Sequence, residues 1–254
     1  MVQVSKTNPF SIDHIVVNVD QKYQEDVQFI EEVNRLGLPY TPSKGKGNKG
    51  FKASNLWIGD EYFEFIYIKS KDGGGWIKDW VDKYNSGHRG VIGLFLKTNN
   101  IEKTTELLKS FGISNPERIS FPFFFKLINF SAKWQNAYLP YFDEVPFQLG
   151  FQQVDTPQIE EKMRKRMVPN SKANGIDGIK SVQFFGPFTS RDFEWLKNVF
   201  YCIKENTNQL NIPLKNDQSI HFYISETIET RVLLNSKGKL LTPLLIENLR
   251  ILNF

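Results

Sequence analysis

Two stretches of sequence decide the fold: SIDHIVVNVD from Ser11 to Asp20, and FKASNLWIGDEYFEFIYI from Phe51 to Ile68. The first is dense in β-branched residues and predicts a strand. The second predicts two strands joined by a tight turn at Gly59-Asp60. A helical pattern lies between the two stretches and ends at Gly37, a residue suited to the left-handed conformation of a helix C-terminus. The predicted order is strand, helix, a short extended stretch and a hairpin.

The same order recurs twice further along the chain. GVIGLFLKT from Gly90 predicts a second strand, followed by a helix that begins after Asn99-Asn100 and ends at Gly112. GIKSVQFF from Gly178 predicts a third strand, followed by a helix that begins with the capping-box pattern of residues 189–192. The strand starts are about 80 to 90 residues apart, which is too long for a solenoid and suits a repeated supersecondary unit.

Composition excludes several classes of protein. The chain has 254 residues, 40% of them hydrophobic and 24% charged, which is typical of a globular protein. No segment has the ~18 uncharged apolar residues of a membrane helix. The first residues lack the apolar region of a secretory signal, and the single cysteine, Cys202, excludes an internal disulfide framework. We therefore expect a cytoplasmic protein with no membrane partner.

The net charge of +4 is too small to indicate a nucleic-acid partner, and a mildly basic chain rich in Lys, Asn and Ile is typical of many bacterial enzymes. The basic cluster at residues 162–166 directly follows Glu160 and Glu161, a pattern typical of a solvated helix face with ion pairs. We expect no nucleic acid to bind. The Phe-rich stretch 121–130 suits either the wall of a hydrophobic cavity or a dimer face, which leaves a homodimer open.

The order and spacing of several motifs resemble one protein family. IDHIVVNV at residues 12–19, RLGL at 35–38 and ASNLWIGDEYFEFIYI at 53–68 are similar to the glyoxalase-like branch of the vicinal oxygen chelate superfamily. The resemblance continues in VPFQLGFQQ at 145–153 and in NGIDGIKSVQFF at 174–185, so it spans nearly the whole chain. No single motif is very specific, whereas their order and spacing together are.

The resemblance implies an α+β fold of repeated βαβββ modules, whose curled mixed β-sheets form a cup with helices packed outside. It implies paired modules within residues 1–155 and a further C-terminal module of βαβββ type within residues 175–254, packed on the same core. Such a cup would hold a metal or a small-molecule ligand. The fold does not specify a substrate, because this superfamily hosts many chemistries.

His14 and Glu64 are the leading candidates for a functional site. In the predicted strands His14 shares parity with Ile12 and Val16, and Glu64 shares parity with Tyr62. Both polar groups are thus expected among inward-facing apolar residues, where a carboxylate is costly unless it is paired or bound to a cation. A buried His–Glu ion pair, or a histidine bonded to the backbone, is the alternative to a functional role.

The resemblance implies that His14 and Glu64 are metal ligands for zinc, iron, manganese or nickel, because imidazole and carboxylate suit such divalent ions. In that family each half of the cup supplies one imidazole and one carboxylate. The positions of the later units that align with His14 and Glu64 are Gly93, Ser181, Gln148 and Gly150. None is a convincing ligand for a site that needs about three protein ligands, so the metal is expected to be weakly held or absent.

Four residues are predicted to line the substrate pocket beside His14 and Glu64: Trp57, Tyr62, Gln148 and His221. Trp57 and Tyr62 flank Glu64 on the predicted hairpin, and Gln148 follows from the alignment of the units. His221 lies in a strand of the third unit, on a face that is either solvent or cavity. His88 stands in a turn-like SGHRG context and is expected to be an exposed loop histidine.

Two functions stay open for the chain. One is an enzyme of the lyase, isomerase or dioxygenase kind, in which a divalent metal on His14 and Glu64 polarises the oxygens of a substrate. Without a metal, Glu64 is the expected catalytic residue, a general base whose pKa is raised by an apolar wall. The other is a non-catalytic protein that sequesters a small molecule in an aromatic cup. A dimerisation scaffold would leave the inward His–Glu pair unexplained.

Overall fold

The computed structural model describes residues 7–118, 120–123, 128–237 and 242–253. In the first half of these residues, SIDHIVVN is the centre of a seven-stranded mixed sheet. The strands are β1 (Ser11–Asn18), β2 (Lys46–Gly47), β3 (Phe51–Ile58), β4 (Glu61–Ile68), β5 (Gly90–Lys97), β6 (Ser120–Phe123), β7 (Ile128–Ser131), β8 (Trp134–Tyr141) and β9 (Gln148–Val154). Their order in the sheet is β2-β3-β4-β1-β5-β9-β8, and β6 and β7 form a separate hairpin.

The second half of the described chain builds a sheet of the same size. Its strands are β10 (Ile176–Gly186), β11 (Ile203–Asn206), β12 (Gln209–Pro213), β13 (Ser219–Ile224), β14 (Glu229–Ser236), β15 (Leu244–Ile246) and β16 (Leu249–Asn253). They lie in the order β11-β12-β13-β10-β14-β16-β15. Strand β10 pairs in parallel with β13 and antiparallel with β14, as β1 does with β4 and β5. The second sheet therefore repeats the strand order of the first, while the domain limits stay a prediction.

Helices connect the strands and confirm the α+β class. They are α1 (Lys22–Glu25), α2 (Val27–Arg35), α3 (Lys78–Asn85), α4 (Ile101–Leu108), α5 (Pro157–Arg164) and α6 (Ser190–Val199). The predicted capping box of α6 is present, since the hydroxyl of Thr189 accepts from the Asp192 backbone N–H and the Asp192 carboxylate accepts from that of Thr189. None of the helices in the described residues is both long and apolar enough to cross a bilayer.

The basic cluster at residues 162–166 lies on α5 and directly after it. On α5 and just after it, Arg164 and Lys165 pair with Glu160 and Glu161, the ion-paired helix face that was expected of the basic cluster. At the end of the described chain a turn with Glu247 at a φ of 54° separates β15 from β16, which pair with each other. The side chains of residues 119–131 lie outside the described residues, so the cavity-wall or dimer-face role of the Phe-rich stretch stays a prediction.

The first sheet is buried on both faces. On one face Ile15 of β1 and Phe63 of β4 belong to an apolar cluster that extends to Phe222 in the second sheet. Aromatic rings pack across this layer, for example Phe147 and Phe184 with centroids 4.1 Å apart. The opposite face, here called the site face, packs under the tryptophans of the connection between β4 and β5. The site face carries Val16, Ile66 and Phe95 and is covered by Trp76 and Trp80.

One buried polar group joins the two sheets across their apolar layer. Glu61 accepts hydrogen bonds from the backbone N–H of Ile179 in β10 (3.1 Å) and from Nε2 of Gln218 (2.8 Å). Oε1 of Gln218 in turn accepts from the N–H of Ile12 in β1 (2.8 Å). Burial raises the pKa of Glu61 to about 7, although both hydrogen bonds oppose the shift.

We expect Glu61→Gln to remove a pH dependence from the stability of the protein. A carboxyl whose pKa is about 7 when folded and 4.5 when unfolded contributes stability fully below pH 4.5, and this contribution is lost as the pH rises to about 7. A shift of this size corresponds to roughly 3 kcal/mol. The difference in unfolding free energy between wild type and variant, measured by urea denaturation, should therefore change by about 2–3 kcal/mol between about pH 4.5 and pH 8.

Asp60→Asn is the matched control, because Asp60 is adjacent in sequence but exposed and paired with Lys172 and Arg164. Its effect on stability should depend only weakly on pH over the same range, because Asp60 is one of the smaller causes of the raised pKa of Glu61. A pH-independent difference for Glu61→Gln would contradict the role assigned to its burial.

Candidate functional site

A β-bulge places His14 on the site face. The pairing of β1 with β5 shifts register between Ile12 and His14, so Asp13 is an extra residue that breaks the alternation. Ile12 packs into the cluster between the sheets, whereas His14 stacks against Phe95 on the site face. The prediction that His14 and Ile12 share a face is therefore wrong. The prediction that His14 and Val16 share a face is confirmed, because Val16 also lies on the site face.

The imidazole of His14 is held on three sides. Oδ1 of Asp13 lies 2.6 Å from Nδ1, and because a carboxylate only accepts, this contact assigns a proton to Nδ1. The rings of Tyr62 and Phe95, on the neighbouring strands, stack on opposite faces of the imidazole with centroids 4.6 and 4.4 Å away. These contacts fix the ring and leave Nε2 as the nitrogen that can take up a proton.

Glu64 lies on the same face, one strand away. In the parallel pairing of β1 and β4, His14 is opposite Tyr62 and Val16 is opposite Glu64. Part of the Glu64 side chain borders a cavity, yet protein surrounds the carboxyl so closely that burial raises its pKa. His14 opposes this shift and Asp13 adds to it. A carboxyl with a raised pKa is suited to exchange protons near neutral pH.

His14, Tyr62 and Glu64 share a cavity of about 60 Å³. This is room for a few water molecules and is smaller than the roughly 300–1,000 Å³ of sites that enclose a larger ligand. The wall residues that the sequence did not reveal are Trp76, Ile77, Trp80, Phe95, Trp134, Asn136 and Gln152. One of these residues could have been found from the sequence: Gln152 is four residues after Gln148 and therefore lies on the same face of β9. The cavity is therefore mainly aromatic with a few polar groups.

The amides of this cavity are bonded to each other. Nε2 of Gln152 donates to Oδ1 of Asn136 (3.0 Å), and Nδ2 of Asn136 donates to the hydroxyl of Tyr138 (3.3 Å). Burial raises the pKa of Tyr138, so its hydroxyl stays protonated. These bonds hold the polar wall in one arrangement.

Comparison with known proteins identifies the family. Residues 12–200 match the family model described as a glyoxalase-like domain. The chain belongs to this glyoxalase-like family, within the vicinal oxygen chelate superfamily. A search among curated proteins finds no match.

Two solved structures share the glyoxalase-like fold over most of the chain. A hypothetical protein from Staphylococcus aureus is 17% identical with a TM-score of 0.66, and the match covers 96% of this chain and all of that one. A xylose isomerase-like TIM barrel/4-hydroxyphenylpyruvate dioxygenase fusion protein is 10% identical with a TM-score of 0.55, covering 91% of this chain and 38% of that one. At these identities the likeness concerns the fold alone.

The superfamily often uses divalent metals, but the donor groups here do not fit a metal held by three or four protein ligands. A Cβ at Gly93 would lie 3.1 Å from the ring of Trp80, and one at Gly150 would lie 2.7 Å from the ring of Phe95. Aromatic rings thus occupy the space that side chains at these positions would need. In the described part of the chain, no three His, Cys, Asp or Glu side chains come together as a metal site.

The remaining predicted site residues lie outside the cavity walls. The ring of Trp57 packs against Tyr62 at 4.8 Å, and Oε1 of Gln148 accepts from Nε1 of Trp80 at 3.1 Å. Both residues therefore support the wall from behind. His221 lies on β13, on the face of the second sheet that points away from the first, where it contacts the Ser219 hydroxyl at 2.8 Å.

His221 nevertheless has a counterpart in the first sheet. If the bulge at Lys180 is matched with that at Asp13, His221 occupies the place that Glu64 has on β4. A role for His221 in a substrate pocket stays a prediction. His88 was expected to be exposed, which is wrong: it is half-buried, Nε2 lies 3.2 Å from the carbonyl of Val91, and burial lowers its pKa.

We expect Trp80→Ala to destabilise the protein strongly. Trp80 is fully buried and its ring lies over Gly93, so truncation leaves a cavity and an unpaired Gln148 oxygen. The expected cost is about 3–5 kcal/mol, measured by chemical denaturation. Trp57→Ala, at a half-buried ring, should cost about 1 kcal/mol. An equal or smaller cost at Trp80 would contradict the conclusion that it belongs to the core of the site face.

Proposed function

We propose that this glyoxalase-like protein binds a small molecule in the cavity beside His14 and Glu64 and transfers a proton on it, as an isomerase or lyase does. The observation that supports this most is the pairing of two proton carriers in one aromatic cavity. One is an imidazole oriented by Asp13, and the other is a carboxyl whose pKa is raised by burial.

The two groups suit opposite halves of a proton transfer. Glu64 is the proposed general base, which takes a proton from a carbon next to a carbonyl group. The C–H bond breaks, its electron pair moves toward the carbonyl oxygen, and the proton goes to the carboxylate. His14 is the proposed acid that returns a proton from Nε2, because the hydrogen bond from Nδ1 to Asp13 orients the imidazole. Movement of the site-face cover would admit a substrate larger than the cavity.

One observation favours a second candidate function. The cavity is small, closed by Trp76 and Trp80, and mainly aromatic, which also suits a protein that sequesters a small molecule without changing it. The two functions differ in whether Glu64 exchanges a proton with the bound molecule.

The proton-transfer proposal predicts exchange of hydrogen for deuterium at carbon. Wild-type protein in heavy water is mixed with small ketones, aldehydes and esters that carry an acidic C–H, and proton NMR follows the loss of that hydrogen. We expect exchange for at least one compound, and a decrease of about 100-fold or more in Glu64→Gln and in His14→Gln, since each variant removes a proton carrier.

His88→Gln is the matched control, because this histidine is half-buried but does not line the cavity. It should exchange at the wild-type rate. Exchange at the wild-type rate in Glu64→Gln would contradict the assignment of Glu64 as the base. Binding of a compound without exchange of any would favour sequestration.

A further inference from the structure

Trp76, one of the residues that line the cavity, has an indole N–H with no acceptor in the described residues. Trp76 is 9% exposed, its Nε1 is buried, and it lines the cavity of His14 and Glu64. Other indoles are satisfied: Trp80 donates to Gln148, and Trp195 donates to the carbonyl of Phe111 (3.4 Å). A buried donor without an acceptor is uncommon, because its loss of hydration is not compensated.

The indole of Trp76 is also fixed in place. Its ring packs against Phe51 at 4.8 Å and against Trp80 at 6.5 Å, and its backbone N–H donates to the carbonyl of Gly73 (3.0 Å). The side chain is therefore held so that its N–H cannot turn toward water without disturbing the aromatic cover. A donor held in this way is preorganised for an acceptor that enters the cavity.

The charges around the cavity indicate which acceptor fits. Of the described residues that line it, none is Lys or Arg. Asp13 acts on the cavity as a negative charge: burial is the main cause of the raised pKa of Tyr62 and Glu64, and Asp13 adds to both shifts. A carboxylate ligand would meet two like charges, Asp13 and the ionised Glu64, against at most one cation of the described lining, a protonated His14. A neutral carbonyl oxygen accepts a hydrogen bond without this repulsion.

We propose that Nε1–H of Trp76 binds the oxygen of a neutral carbonyl group, in a ketone, aldehyde, ester or amide, and that the cavity takes such compounds in preference to free carboxylates. This assignment rests on the proposed function, because it names the substrate class of the same cavity. During the proton transfer to Glu64, the electron pair of the broken C–H bond moves onto this oxygen. The indole N–H then faces the atom on which negative charge develops.

The test uses two probes of the same shape, acetamide and acetate, titrated at neutral pH into protein labelled with ¹⁵N in its tryptophans. We expect the Trp76 indole cross-peak to move saturably with acetamide, and acetate to bind at least about tenfold more weakly. The Trp195 cross-peak is the internal reference, because that N–H already has an acceptor. No movement with acetamide up to about 100 mM, or equal or tighter binding of acetate, overturns the assignment.

Two variants separate this assignment from the proposed function. Trp76→Phe identifies the cross-peak and should weaken acetamide binding by about tenfold, whereas Trp195→Phe should leave it unchanged. Wild-type affinity in a folded Trp76→Phe variant overturns the assignment. Glu64→Gln should lose proton exchange but keep the movement of the Trp76 cross-peak. If wild type exchanges no compound while the Trp76 cross-peak still moves with acetamide alone, the proposed function fails and the carbonyl assignment stands.

Discussion

Burial of the first sheet on both faces is the constraint on which the rest of the molecule depends. One face packs on the second sheet, and the other lies under two tryptophans. Polar side chains on its strands must therefore find partners within the protein. His14 is hydrogen-bonded to Asp13, the preceding residue, and Glu61 accepts a hydrogen bond from Gln218 across the layer between the sheets. The raised pKa values of Glu61 and Glu64 are two results of the same burial, one on each face of β4.

Most of the fold could be predicted because local signals specify it. The bounds of β3 are those expected from its alternating pattern and the following turn, and the start of α6 follows from its capping box. Helix α3 was not foreseen, because it is short, although Trp80, Val81 and Tyr84 form an apolar face that packs against the sheet. The turn between β15 and β16 is not evident from the sequence either, because Glu247 adopts a positive φ that is uncommon for residues other than glycine.

The site was predicted only in outline. The alternation of residues along the strands predicted that His14 and Glu64 line one cavity. No sequence pattern reveals that Asp13 forms a bulge and contacts the imidazole. The tryptophan cover was missed for a different reason. Trp80 lies over Gly93 of β5, and this contact exists only once the connection between β4 and β5 has packed onto the sheet. His221, for which the sequence left a solvent or a cavity face open, lies on the far face of the second sheet.

The glycines beneath the aromatic cover also limit how such a protein can evolve. A side chain introduced at Gly150 would collide with the ring of Phe95, and one at Gly93 would press on Trp80. A metal centre with ligands at these two positions would therefore require smaller side chains in place of the rings. Loss of those rings alone opens voids in a core that tolerates them poorly. Substitution of the glycines first crowds the rings, and substitution of the rings first leaves voids, so the glycines and the rings can change without loss of stability only together.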